Sequence, residues 1–308
     1  MTEHPIRYFL PTSRAFDGTK RVLFQPFELG KWFVLGFSAW LAGLLDGNGG
    51  GGGTGVGGDQ TDGGPAESFL RGVADWAQQH MGIAILIGAV VLLVFIGLAV
   101  LLFWISSRGK FMFLDNVVHN RARVRIPWNQ FRAQGNSLCL WRLVFAAIAI
   151  SAVLIVVGAF AVPCVMLRDS RGWLLALAGC GIAGTLALVL ALIYVGILLE
   201  DFVIPLMYRD SLTTNQAWGR FLAVHRYSPG HFVRYALWKV VLGIAALVAI
   251  VLVGIGTCGL GILLMIIPYI GTVFLLPVPV FFRFLGPEFL RQFGGDCDIL
   301  DSGAEAAK

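Results

Sequence analysis

The sequence predicts an all-α polytopic membrane protein, with six transmembrane helices arranged as three two-span repeats and with amphipathic helices at the cytoplasmic surface. Three observations predict this fold. Of the 308 residues, 57% are hydrophobic and 13% are charged, whereas a soluble domain has roughly 45–50% apolar and about 25% charged residues. Six apolar runs are long enough to cross a bilayer. A Trp beside a basic residue opens every second run.

The six apolar runs leave little of the chain for a soluble domain. A transmembrane helix needs about 20 predominantly apolar residues to cross a hydrocarbon core of roughly 30 Å. The predicted spans are 29–45, 82–106, 138–167, 173–199, 232–256 and 259–285. We therefore expect residues 1–308 to form a single integral membrane domain.

The Trp-basic pairs indicate an internal repeat. They are Lys31-Trp32, Trp141-Arg142 and Trp238-Lys239, at the starts of the first, third and fifth predicted spans. Trp and basic side chains concentrate where a membrane meets water. Each repeat would therefore consist of an interfacial helix, a span running outward and a span running inward.

The two long connectors support the same repeat. Connectors 107–137 and 200–231 align without a gap, which places Trp128 opposite Trp218, each followed three residues later by a Phe. In both connectors this Trp starts a predicted amphipathic helix that leads into the next span. We expect five tryptophans to act as interfacial anchors: Trp32, Trp141, Trp238, Trp128 and Trp218.

The distribution of basic residues sets the predicted orientation. With the N-terminus inside and six spans, only Arg71, Arg168 and Arg171 of the 23 Lys and Arg residues lie outside. Basic residues accumulate on the cytoplasmic side of membrane proteins. Both termini are therefore expected in the cytoplasm, and the net charge of +5 requires no nucleic-acid partner.

The segments outside the spans have simple predicted roles. Residues 47–64 contain a long Gly run, which is typical of a flexible tether, and would form an extracytoplasmic loop. Residues 65–80 have apolar positions at helical spacing and predict an interfacial helix on the outer surface. Residues 292–308 are expected to be a disordered cytoplasmic tail.

Four charged residues occupy matched positions at the ends of the even-numbered spans. If the repeats surround a common axis, Lys110, Glu200, Asp201 and Arg283 lie at one depth and form an ionic cluster near the inner face. Charged groups inside apolar segments usually pair or face water. The cluster would be either the mouth of an ion or substrate pathway or a set of salt bridges that fixes the packing of the repeats.

The sequence contains no residue set that specifies a reaction. Its five cysteines and five histidines show neither the spacing of a metal site nor that of a disulfide framework. Ser and Cys nucleophiles have no visible base. We therefore expect no catalytic residues, no metal, no cofactor and no enzymatic activity.

Residues 200–245 resemble a known family of bacterial six-helix membrane proteins. The family is similar to the membrane domain attached to some glycerophosphoryl diester phosphodiesterases, and most of its members have no assigned activity. The resemblance rests on residues 202–206, 217–221, 230–235 and 240–243. It implies a multi-pass protein of the bacterial cytoplasmic membrane, and it does not imply the phosphodiesterase activity because the catalytic barrel is absent.

Two functions are consistent with these features. The first is a non-enzymatic scaffold, or a module that binds membrane lipids, other membrane proteins or a second copy of itself, in the cell envelope or in a membrane assembly. The second is a small transporter or channel, because Pro268, Pro277 and Pro279 would break the sixth span and broken helices often line cavities.

Overall fold

The computed structural model describes residues 8–45, 65–166, 171–257, 261, 267 and 269–293, and its regular secondary structure is helical. The first half contains α1 (Phe9–Phe24), α2 (Leu29–Gly43), α3 (Pro65–Gln79), α4 (Met81–Val118), α5 (Arg125–Gln130) and α6 (Arg132–Met166). The second half contains α7 (Arg171–Leu198), a π-helical turn (Leu199–Val203), α8 (Ile204–Asp210), α9 (Thr214–Tyr227), α10 (Pro229–Gly256), α11 (Ile270–Phe274), α12 (Pro277–Leu290) and a final 3₁₀ turn (Arg291–Phe293). The predicted all-α class is therefore confirmed.

Within the described residues, four helical segments are long and apolar enough to cross a membrane. They are Met81–Val118, Arg132–Ala161, Leu177–Asp210 and Pro229–Gly256. They correspond to the second to fifth predicted spans and indicate a multi-pass membrane protein. The first predicted span contains α2, which has 15 residues, and the sixth contains α11 and the first part of α12. Six spans and three repeats stay a prediction.

The helices continue beyond several predicted boundaries. α4 ends at Val118, so the beginning of the predicted connector 107–137 belongs to the long helix. The π-helical turn and α8 extend α7 to Asp210, so the beginning of connector 200–231 is helical as well. The predicted helix 65–80 coincides with α3. Loop 47–64 and the tail beyond residue 293 lie outside the described residues.

The buried core lies at one end of the long helices. In α4 the buried residues run from Ser106 to Val117, whereas the apolar residues from Met81 to Leu101 are largely exposed. α7 follows the same division, because Gly181 is the one buried residue among its described positions before Leu198. Lipid tails are as apolar as Leu, so burial of apolar surface gives helices little reason to associate inside a bilayer. The exposed apolar segments are therefore suited to lipid.

A cluster of aromatic rings joins the helices at this packed end. Phe202 stands 5.3 Å from Phe221 of α9, 5.2 Å from Phe232 of α10 and 4.9 Å from Tyr235, measured between ring centroids. Tyr235 in turn lies 4.5 Å from Phe289 of α12. Each such pair contributes about 0.5–1.5 kcal/mol beyond its buried area. The cluster fixes the position of the π-helical turn against three helices.

A glycine allows α12 to approach the π-helical turn closely. A Cβ atom built on Gly286 would lie 2.9 Å from Asp201 Cα and 2.8 Å from Asp201 Cβ, and it would meet the Asp201 carbonyl oxygen still more closely. Backbone atoms cannot yield to such a contact as the tip of a flexible side chain can. Position 286 therefore has no room for any side chain.

We predict that Gly286→Ala destabilises the protein, since overpacking of a tight contact costs about 1–3 kcal/mol. The matched control is Gly243→Ala in α10, where an added Cβ meets nothing within 4 Å. That change should stabilise the helix by up to about 1 kcal/mol. Thermal unfolding in detergent, followed by tryptophan fluorescence, measures both. Equal midpoints for the two variants would contradict the close approach of α12.

Candidate functional site

Charged side chains from five parts of the chain surround a cavity of about 610 Å³ at the packed end of the bundle. We call it the charged cavity. Its charged lining residues are Lys110 of α4, Arg142 of α6, Glu200 and Asp201 of the π-helical turn, Lys239 of α10 and Arg283 of α12. The described lining therefore contains four cations and two carboxylates.

Glu200 joins α4 and α12. Its carboxylate pairs with the Lys110 ammonium group and lies 3.5 Å from Arg283 Nη1. Arg283 also donates a hydrogen bond of 2.8 Å from Nη2 to the backbone carbonyl oxygen of Lys110. Lys110 is almost fully buried, with 2% of its side chain exposed. A buried cation of this kind requires its counter-charge, and here Glu200 supplies it.

Asp201 joins the π-helical turn to α10. Lys239 Nζ lies 2.7 Å from both Asp201 carboxylate oxygens, and the Tyr235 hydroxyl group donates a hydrogen bond of 2.8 Å to Oδ2. Tyr235 and Lys239 both belong to α10 and lie one helical turn apart. Asp201 therefore holds α10 in place while Glu200 holds α4 and α12.

The local geometry of the chain explains how two consecutive carboxylates reach different helices. Successive residues of a helix point in directions about 100° apart, because one turn contains 3.6 residues. The side chains of Glu200 and Asp201 therefore point in different directions from the π-helical turn in which both residues lie. Such turns within α-helices occur frequently at functional sites.

Arg142 approaches the cavity from α6. It is 8% exposed and donates hydrogen bonds from Nη1 to the hydroxyl groups of Ser106 at 3.2 Å and Ser107 at 3.5 Å. It also acts electrostatically on Glu200, as Lys110 and Arg283 do. Lys110, Arg283 and Arg142 therefore all act electrostatically on the Glu200 carboxylate.

The remaining lining residues are mostly apolar and lie along single helix faces. On α6 they are Phe145, Ala146 and Ala149, which follow Arg142 at i+3, i+4 and i+7. Residues with this spacing lie on one face of a helix. On α7, Ile193, Gly196 and Ile197 precede Glu200 with the same spacing. Since seven residues of helix span about 10 Å, each face is charged at one end and apolar at the other.

All six segments predicted as spans contribute to this lining. α2 provides Ala39, Ala42 and Gly43, and α12 provides Pro279 and Phe282 beside Arg283. Helices α4, α6, α7 and α10 provide the rest, together with the π-helical turn. The charged cavity is therefore a shared feature of the bundle and not a groove between two neighbouring helices.

The structure brings the four residues of the predicted inner-face cluster to one cavity in two separate networks. Lys110, Glu200 and Arg283 form the first network, whereas Asp201 pairs with Lys239. Sequence reasoning missed Arg142 and Lys239 as lining residues. The Trp-basic pattern could have identified them, because Arg142 and Lys239 are the basic residues of two of its pairs. Both side chains line the cavity.

The five predicted anchor tryptophans make contacts between different helices. Trp32 Nε1 donates to the Leu23 carbonyl oxygen at 2.9 Å, and Trp238 Nε1 donates to Thr12 Oγ1 at 3.0 Å. The remaining three make ring contacts: Trp141 with Trp218 at 5.5 Å, and Trp128 with Trp104 at 5.9 Å. Their role as membrane anchors stays a prediction.

The described residues contain no group of three His, Cys, Asp or Glu side chains that could hold a metal ion. The charged cavity presents guanidinium and ammonium groups together with two carboxylates. Its guanidinium and ammonium groups donate charge-assisted hydrogen bonds, which are roughly twice as strong as neutral ones.

Comparison with known proteins gives a family and no activity. The model of DUF7544, a family of unknown function, matches residues 11–289, a range that includes every charged residue of the cavity. No curated protein and no solved structure matches the chain. These findings show no link to the membrane domain of glycerophosphoryl diester phosphodiesterases, so that resemblance stays a prediction.

We predict that Glu200→Gln destabilises the protein by roughly 3 kcal/mol, since removing one partner of a buried pair leaves the other charge uncompensated. The control is Asp210→Asn, which breaks the pair with Arg220 at 2.6 Å, where the Arg220 side chain is 45% exposed. Exposed pairs contribute only about 0–1 kcal/mol.

A double variant, Lys110→Gln with Glu200→Gln, should recover part of the lost stability because it removes both charges. Thermal unfolding and size-exclusion profiles in detergent measure all three variants. If Glu200→Gln unfolds at the same temperature as Asp210→Asn, the ion pair does not hold the bundle together.

Proposed function

The chain belongs to the DUF7544 family, and we propose that it is a non-enzymatic integral membrane protein that binds a lipid in the charged cavity. It would serve as a lipid-binding module or scaffold of the cell envelope or of a membrane assembly. The observation that carries this proposal is the division of the cavity into a charged end and apolar walls.

An amphiphile fits this division better than a small polar solute does. The charged side chains lie together at one end, and Ala149 and Ile193 lie two helical turns away on the walls. A headgroup at the charged end would leave its acyl chain against these apolar residues. Ile193 is 51% exposed, so the apolar end is not sealed by the described residues, and a chain could extend from it into the bilayer.

We propose the topology that the sequence predicts, with six spans in three repeats and both termini in the cytoplasm of a bacterial cell. The contribution of all six segments to one cavity supports the arrangement around a common axis. The charged end would then face the cytoplasmic side, where most of the basic residues lie. The resemblance of residues 200–245 to bacterial six-helix membrane proteins agrees with this localisation.

A small transporter or channel is the second candidate function. The interruption between α11 and α12 favours it, because Pro279 and Phe282 line the cavity just beyond the break. Interrupted helices in membranes are tolerated where they are buried in protein or line a water-filled cavity. A transporter would also need access to the cavity from both sides of the membrane.

We predict that the full-length protein, purified in a mild detergent, retains bound lipid detectable by mass spectrometry. Ala146→Trp should reduce the retained lipid severalfold, because Ala146 lines the cavity and a Trp side chain would fill part of it. The control is Ala147→Trp on the neighbouring exposed position, which should retain as much lipid as the unmodified protein.

Reconstituted proteoliposomes distinguish the two candidate functions. Lipid retention that depends on Ala146, without ion or solute flux, supports the lipid-binding module. Flux that Ala146→Trp blocks and Ala147→Trp leaves intact would support the transporter instead. Equal lipid retention by both tryptophan variants would overturn the assignment of the lipid to the charged cavity.

A further inference from the structure

We propose that the packed ends of α4 and α6 form a second lipid site, which binds the phosphate group of an anionic phospholipid headgroup. We call this site the basic patch. Its members are two arginines and two tryptophans: Arg108 and Trp104 of α4, Trp128 of α5 and Arg132 of α6. None of these four residues belongs to the described lining of the charged cavity, so the site is additional to the one in the proposed function.

Arg108 is held against the start of α6. It is 7% exposed, and its Nη2 donates a hydrogen bond of 3.2 Å to Asn136 Oδ1. Its Cζ lies 4.3 Å from the ring centroid of Trp104 and 5.4 Å from that of Trp128. A Cβ atom built on Gly135 would lie 2.8 Å from Arg108 Cγ, so the glycine lets Arg108 approach α6 closely. A neutral amide and two aromatic rings thus fix the guanidinium group without supplying a negative charge.

Positive charge accumulates here without a carboxylate partner. Arg132 is exposed and lies close enough to Arg108 to act on it electrostatically. Within the described ranges, neither arginine forms an ion pair with an Asp or Glu side chain. Arg108 Nε is buried and has no hydrogen-bond acceptor in the part of the chain that the structure describes. Since a buried charge without a counter-charge is destabilising, an anion beside the two arginines would stabilise this end of the bundle.

The start of α6 adds to the positive field. Arg132 is the first residue of this helix, and the first turn contains no acidic residue. The N-terminus of a helix carries a partial positive charge, which favours a nearby anion and disfavours a nearby cation. A guanidinium group also presents several donors in a planar fork that suits phosphate. A phosphate group at Arg132 would therefore interact favourably with both arginines and with the helix.

Apolar surface leads away from the basic patch on both helices. On α6, Leu140 and Val144 follow Asn136 at i+4 and i+8 and are exposed. On α4, the exposed Val100 precedes Trp104 by four residues. Residues four apart lie on one face of a helix. Because α4 runs toward the packed end and α6 runs away from it, both faces extend in the same direction. Acyl chains attached to a headgroup at the patch would cover these faces, whereas a soluble anion would leave them uncovered.

The proposed topology places the basic patch at the cytoplasmic surface of the membrane. Trp128 is one of the predicted interfacial anchors, and Trp rings concentrate at the level of the lipid headgroups. Basic pockets between helices on the cytoplasmic side are typical binding sites of anionic headgroups. A zwitterionic headgroup also contains a phosphate, but its own cation would be repelled by the two arginines. The patch should therefore prefer an anionic phospholipid.

The test titrates delipidated full-length protein in a mild detergent with phosphatidylglycerol or with phosphatidylcholine of the same acyl chains. Native mass spectrometry measures the two dissociation constants. Phosphatidylglycerol should bind more tightly. Arg132→Gln should weaken phosphatidylglycerol binding about fivefold and leave phosphatidylcholine binding unchanged, since a basic residue near the headgroups contributes about 1 kcal/mol. Arg132→Lys, which retains the charge, should retain most of the affinity.

Two control variants accompany this measurement. Arg21→Gln removes the same charge from an exposed arginine in the last turn of α1, where the helix dipole favours a cation. It should leave both affinities unchanged. Ala146→Trp fills part of the charged cavity and separates the two lipid sites. The preference for phosphatidylglycerol should persist in this variant, because the basic patch is unaltered.

Several outcomes would overturn the basic patch. Equal binding of phosphatidylglycerol and phosphatidylcholine would contradict it and leave the proposed lipid site in the charged cavity intact. Loss of the preference in Ala146→Trp would assign the anionic lipid to the charged cavity instead. An equal loss of affinity in Arg132→Gln and Arg21→Gln would exclude a local site at Arg132. Inorganic phosphate that competes as well as phosphatidylglycerol would assign the patch to a soluble anion.

Discussion

The packed end of the bundle depends on the two consecutive carboxylates of the π-helical turn. Glu200 pairs with Lys110 of α4 and with Arg283 of α12, and Asp201 pairs with Lys239 of α10. Apolar burial provides little attraction between helices within lipid, so ionic and aromatic contacts determine which helices meet. Gly286 lets α12 approach this turn closely enough for the pairing.

The same arrangement produces the cavity. Because the helices are joined at their charged ends, the apolar segments beyond them lack an equally tight core, and their exposed residues suit contact with lipid. The space enclosed between the helices is then charged where they meet and apolar farther along. The residues that form the ion pairs between helices therefore also line the cavity.

Much of the fold follows from the sequence. Apolar length predicts the four long helices of the structure, and matched positions at the ends of the even-numbered segments predict that Lys110, Glu200 and Arg283 share one depth. Arg142 and Lys239 were assigned instead to the membrane surface, because each stands beside a Trp. Sequence spacing gives the depth of a side chain, whereas its direction depends on how the helix is rotated against its neighbours.

By itself, the sequence determined the all-α class and the existence of the long apolar helices, since both depend on composition and local spacing. Only the tertiary structure decided that Asp201 pairs with Lys239 and not with the partners of Glu200. It also decided that both carboxylates lie in a π-helical turn and that six charged side chains surround one cavity. Those features depend on contacts between residues up to 173 positions apart in the chain, and local spacing carries no information about them.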